Sequence, residues 1–90
     1  MMVPLPLGKV AATPGALKLL LEEGEDPFDY LARHATGDWR DLCAFDRRQN
    51  ERALREEARV FSSYDTPAGE VWIITEADRS ITTILLPEEY

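Results

Sequence analysis

From Arg59 to Tyr90, apolar and polar positions alternate with a period near two. The alternation falls into three runs, Arg59–Tyr64, Glu70–Glu76 and Ile81–Leu86, rich in β-branched and aromatic residues, which predicts strands. Asp65-Thr66-Pro67-Ala68-Gly69 reads as a five-residue hairpin loop in which Gly69 can take a positive φ. Asp78-Arg79, between Ala77 and Ser80, centres the second turn. With those two residues as the loop, Thr75 stands opposite Thr82, Ile73 opposite Ile84 and Val71 opposite Leu86. The other face then carries Trp72, Ile74 and Glu76 opposite Leu85, Thr83 and Ile81. A slip of one residue would exchange the faces. The Val71/Ile73/Ile84/Leu86 face is expected under helices. Trp72, Ile74, Ile81 and Leu85 make the opposite face too apolar to be wholly wet, so it is expected against the N-terminal segment, a second protomer or a partner.

Upstream the period changes. Pro4-Leu5-Pro6-Leu7-Gly8 reads as an extended lead-in, because proline removes a donor and biases its predecessor away from helix. Lys9–Ala12 could be a short strand on the edge of the sheet. Thr13-Pro14 then starts a helix, with Thr13 as cap and Pro14 at the first helical position. Leu17, Leu20 and Leu21 form its apolar stripe, and Gly24 ends it. Asp26-Pro27 repeats the start signal for a second helix with Phe28, Leu31 and Ala32 as apolar positions, closed by Gly37. Asp38–Phe45 begins with a cap followed by an acidic first turn, which predicts a further short helix carrying Trp39, Leu42, Cys43 and Phe45. Asp46 with Gln49 repeats the arrangement for a last, largely exposed helix from Arg47 to about Glu57. The expectation is one α+β domain over residues 1–90: three to four short N-terminal helices packed on a C-terminal three-stranded antiparallel β-meander.

Composition narrows the chemistry. One cysteine, Cys43, excludes an internal disulfide, and one histidine, His34, leaves too few soft ligands for a structural zinc site. The start of the chain has no basic segment before an apolar run and no stretch long enough to span a bilayer, so the expected compartment is the cytoplasm. The net charge of −7 argues against direct binding to a nucleic-acid backbone. It suits solubility, a basic protein partner, or imitation of nucleic acid. There is no glycine-rich phosphate loop and no metal-ligand constellation, so no cofactor is expected.

His34 is the side chain that titrates nearest neutrality, and it reads either as a general base or as a packed, helix-end histidine. Arg48, Arg52, Arg55 and Arg59 share one helical stripe, the spacing of a phosphate-binding face or of a solvated face laced by Glu51, Glu56 and Glu57. Cys43 reads as a small buried hydrophobe. Asp78, Arg79, Ser80, Thr82 and Thr83 gather polar groups at one hairpin end. Acidic residues cluster around the first interhelix turn (Glu22, Glu23, Glu25, Asp26 and Asp29).

LGKVAATPGAL (Leu7–Leu17), LARHATGDWRDLC (Leu31–Cys43) and VWIITEADRSITTILLPEEY (Val71–Tyr90) resemble short bacterial proteins carried on plasmids and other mobile elements, usually called plasmid-related proteins. Some carry a type I restriction modification label, but no cofactor-binding methyltransferase motif is present and 90 residues are too few for that fold. The resemblance implies a genomic setting and offers no catalytic residues to carry over. Two functions are therefore expected as alternatives. One is a non-enzymatic, acidic protein-binding module that acts on a host or element-encoded protein and antagonises restriction or CRISPR defence. Its contacts would be Glu22, Glu23, Glu25, Asp26 and Asp29, with Trp72 and Leu85 as apolar anchor, and a homodimer through that second sheet face is the competing outcome. The other is a small barnase-like ribonuclease of the toxin type, with His34 as base and Arg79 and Thr83 on the phosphate.

Overall fold

A computed structural model describes residues 5–39 and 42–90. Pro4 of the expected lead-in, and Arg40 and Asp41 of the expected third helix, lie outside these residues. The elements run β1 (Lys9–Ala12), α1 (Pro14–Glu22), α2 (Pro27–Ala35), α3 (Ala44–Glu56), β2 (Val60–Thr66), β3 (Gly69–Thr75) and β4 (Ile81–Leu85). A single 3-10 turn, Pro87–Glu89, follows. The fold is α+β with a four-stranded sheet of order β1-β4-β3-β2.

The expected register holds. Thr75 pairs with Thr82, Ile73 with Ile84, Ile74 with Thr83 and Trp72 with Leu85. Three expectations about the sheet and its connections are corrected. It is mixed, because β1 pairs with β4 in parallel, Lys9 beside Ile81 and Ala12 beside Ile84. The three helices therefore lie between β1 and β2 and do not precede the whole sheet. The first hairpin is also tighter than five residues. Its strands run on to pair Thr66 with Gly69, leaving Pro67-Ala68 as the turn, and Gly69 adopts φ +139°. Leu86 falls just past β4 and is half-buried. Gly8 leads the chain into β1 at φ +64°, where a Cβ would collide with the carbonyl oxygens of Arg79 and Ser80. Only glycine lets the lead-in lie that close to the β3–β4 turn.

Thr13 caps α1 by accepting from the Ala16 amide at 3.2 Å, and Asp26 caps α2 by accepting from the Phe28 amide at 2.9 Å. The expected helix over Asp38–Phe45 is absent from the described residues. Asp38, its intended cap, accepts instead from Arg33 Nε at 2.9 Å, and its carbonyl accepts from the Tyr64 hydroxyl at 3.0 Å. Trp39 is buried with Leu5, Leu42, Ala53 and Val60. Helix α3 starts earlier than expected, with Cys43 at its N-cap making no side-chain bond to the backbone, so Asp46 sits within its first turn and accepts from the Cys43 thiol at 3.4 Å. Cys43 is exposed, contrary to the expectation of burial.

The larger core cluster joins Ala16 and Leu20 of α1 and Tyr30 and Leu31 of α2 to Tyr64, Val71, Ile73 and Ile84 of the sheet. The Val71/Ile73/Ile84 face is thus the helix-covered one. The second face is not bare. Phe61, Trp72 and Tyr90 meet there edge to face, with ring centroids 5.1 and 5.8 Å apart. Arg59 donates to the Tyr90 hydroxyl at 2.9 Å and to Glu76 at 3.2 Å, which holds the C-terminal segment in place. Beneath it Ile74 and Leu85 are buried.

Candidate functional site

Helices α1 and α2 meet in a tight turn, where Glu25 N donates to Leu20 O at 2.8 Å and Gly24 N to Leu21 O at 3.1 Å. The turn groups Glu22, Glu23, Glu25, Asp26 and Asp29, and all but the half-buried Glu25 are exposed. Lys18 reaches Glu22 at 4.0 Å, the surface pair within α1. Among these acids stand apolar side chains that the periodicity placed in the core: Leu17 is 40% exposed, Leu21 63% and Phe28 72%, and Ala32 is also exposed. The cause is rotational. Leu19-Leu20-Leu21 spans more than half the circumference of a helix, so the three cannot share one face. Leu20 takes the interior with Ala16, and Leu17 and Leu21 turn outward. On α2 the interior is taken by Tyr30, Leu31 and His34, which leaves Phe28 in solvent.

The expected anchor residues are elsewhere. Trp72 and Leu85 occupy the sheet face turned away from α1 and α2. Leu85 is buried, and half-buried Trp72 donates from its indole to Glu70 at 2.8 Å. The acidic turn and the Trp72 face are on opposite sides of the sheet.

His34 is fully buried, and its surroundings fix its protonation. Thr82 Oγ1 donates to the Leu7 carbonyl at 2.8 Å, so the Thr75–Thr82 bond at 2.7 Å must be donated by Thr75. Thr75 Oγ1 has then spent its proton and accepts from His34 Nε2 at 2.9 Å. Neutral His34 consequently carries its proton on Nε2, and Nδ1 accepts from the Ser62 hydroxyl at 2.5 Å. The chain of donors runs one way, from Ser62 through His34, Thr75 and Thr82 to Leu7. Burial pushes the imidazole from the usual 6.5 down to about 4. Sequence reasoning singled out His34 and paired the threonines but missed Ser62. Its signal was available: in Val60-Phe61-Ser62-Ser63-Tyr64, alternation turns Ser62 to the same side as Val60 and Tyr64.

The structure does not bring His34, Arg79 and Thr83 together. Thr83 is on the face opposite Thr82, away from the imidazole. Arg79 is half-buried at φ +61° and donates to the carbonyls of Ala58 at 2.6 Å, Ala53 at 3.2 Å and Glu76 at 3.2 Å. It thereby neutralises the negative end of α3. The arginine stripe is broken as well, because α3 stops at Glu56 and Arg59 lies outside it. Arg52 pairs with Glu56 at 3.0 Å and Arg59 with Glu76. Both still line one groove of about 350 Å³, floored by Ala53 and Phe61 and bordered by Asp46 and Glu56.

Among the described residues no group of three or more His, Cys, Asp or Glu could hold a metal ion, and no helix is long and apolar enough to cross a membrane. No protein-family model, no curated protein and no solved structure matches this chain.

Proposed function

We propose that the chain is a non-enzymatic binding module that receives a basic, amphipathic segment of another protein on the α1–α2 surface. The observation that carries this reading is the exposure of Leu21 and Phe28 between Glu22, Glu23, Glu25, Asp26 and Asp29. A bulky aromatic ring left in water within an acidic rim suits a partner whose apolar anchors are flanked by Lys or Arg. The rim would speed encounter and exclude acidic partners, and the apolar side chains would set residence time. The mobile-element resemblance directs the search to host or element-encoded proteins, and the basic channels of defence nucleases are the first candidates. Trp72 and Leu85 take no part in this surface.

The test is retention of host proteins on the immobilised chain at low salt and at about 1 M salt, where screening acts beyond about 3 Å. A partner retained at low salt, weakened by high salt, and lost from Phe28→Ser and from charge reversal across Glu22–Asp29 supports the reading. Retention that neither change alters, or no retention at low salt, ends it.

A further inference from the structure

The two edges of the sheet are finished differently. On β2 the backbone of Phe61 points outward, and the buried Asn50 side chain covers it, accepting from Phe61 N at 3.0 Å and donating to Phe61 O. Strand β1 is the other edge. Lys9 N donates to Ser80 O at 3.0 Å and Thr13 N to Ile84 O at 2.9 Å, so residues 9, 11 and 13 direct their backbone groups at β4. The N–H and C=O of Val10 and Ala12 therefore point away from the sheet. Lys9, Val10 and Ala12 are exposed, Val10 by 42%; the strand's shortness and Lys9 blunt indiscriminate pairing, but it has no proline, bulge or inward charge to forbid it.

We infer that β1 is a self-association edge, on which a second copy of this chain adds its own β1 antiparallel, centred on Ala11, to give a continuous eight-stranded sheet. The directions of these outward groups and the charges select this register. Val10 of one copy meets Ala12 of the other, and the two exchange both backbone bonds, so the twofold axis generates four. Ala11 faces Ala11 in the close, non-hydrogen-bonded position, where a small side chain fits. Lys9 stands opposite Thr13 of the second copy. The Thr13 hydroxyl donates to Glu89 at 2.6 Å, so a carboxylate already waits there. Lys9, Ala11 and Thr13 share one sheet face by the period of two, and the C-terminal segment carrying Glu89 packs on that same face. A register centred on Val10 would place Lys9 opposite Ala11 and leave the carboxylate without its cation. Four residues bury little surface, so the association belongs to the weak class. It uses neither the acidic turn nor Trp72, and its failure leaves the proposed partner surface untouched.

Sedimentation of the full chain over a wide concentration range, up to millimolar, is the first measurement, and a reversible dimer is expected. Val10→Pro and Ala12→Pro each remove one outward donor and no bond to β4, and each should raise the dimer dissociation constant about tenfold or more. Ala11→Cys, made with Cys43→Ser, should oxidise to a disulfide-linked dimer, because facing residues of a non-hydrogen-bonded pair are within cross-linking reach. The cross-link reads the register even if a proline variant fails to fold. A chain that remains monomeric at millimolar concentration, a dimer indifferent to both prolines, or an Ala11→Cys protein that stays reduced would overturn the assignment.

Discussion

The two faces of the sheet are closed by different means. Beneath α1 and α2, the interior contains five consecutive polar groups, Ser62, His34, Thr75, Thr82 and the Leu7 carbonyl, each satisfied by the next. On the far side the covering is aromatic and terminal: Trp72 is roofed by Tyr90, which Arg59 tethers from the surface. The helical face gains specificity, because a one-residue slip would turn Thr75 and Thr82 away from His34 and strand their hydroxyls. The aromatic face gains coverage without commitment to one hydrogen-bond pattern. A buried polar chain tolerates no missing member, whereas an edge-to-face stack can lose its outer ring and keep the rest.

On that contrast, the largest loss comes from Ile84→Ala beneath the helices. Ile84 is 1% exposed, and its removal should cost about 2–5 kcal/mol in denaturant unfolding. A near-native midpoint would mean that this face is not the tightly packed one.

Next is acid. His34 binds its proton near pH 4 when folded and near 6.5 when unfolded. Between those values the unfolded chain holds more protons, so stability contributed by neutral His34 is complete above about pH 6.5 and declines as pH falls toward about 4. The total is about 3 kcal/mol from the usual conversion. Hydrogen bonds from Ser63 and Thr13 hold Glu70 and Glu89 below the usual carboxylate range, and their contributions fade at still lower pH. Unfolding free energies measured from about pH 7 to pH 4.5 should slope for the wild type and flatten for His34→Gln. Parallel curves would separate the slope from His34.

The smallest effect belongs to the aromatic face. Tyr90→Ala removes one edge-to-face contact and one exposed hydrogen bond, for about 0.5–1.5 kcal/mol. Trp72 fluorescence should shift to the red while the acid slope is unchanged. A change in both would show that the two faces are coupled.

Much of this contrast was legible in the chain. Alternation in Val71–Thr75 and Ile81–Leu85, with a short polar turn between them, fixed both register and buried face. Thr13-Pro14 and Asp26-Pro27 located two helix starts, because capping is decided by neighbours a few residues away. Longer-range choices were not legible. Asp38 carries a cap signature, but Arg33 and Tyr64 claim it from elsewhere in the fold, and among the described residues no helix starts from it. The exposure of Leu17, Leu21 and Phe28 depends on which way α1 and α2 roll on the sheet. His34 determines part of that roll by reaching Ser62 on β2 and Thr75 on β3, contacts 28 and 41 positions distant. For the candidate surface, the acids were visible from the start and their apolar companions were not.

The parallel pairing of β1 with β4 has a kinetic consequence. Lys9 meets Ile81 only after all three helices and two other strands have been threaded between them. The β2-β3-β4 meander closes through short hairpins, whereas β1 must wait for the longest loop in the molecule, whose closure entropy grows with every residue enclosed. The meander should therefore form early and β1 dock last. By the same reasoning β1 should be the first strand to exchange its amide hydrogens with solvent, and the Thr82–Leu7 bond beside its first residue should open with it.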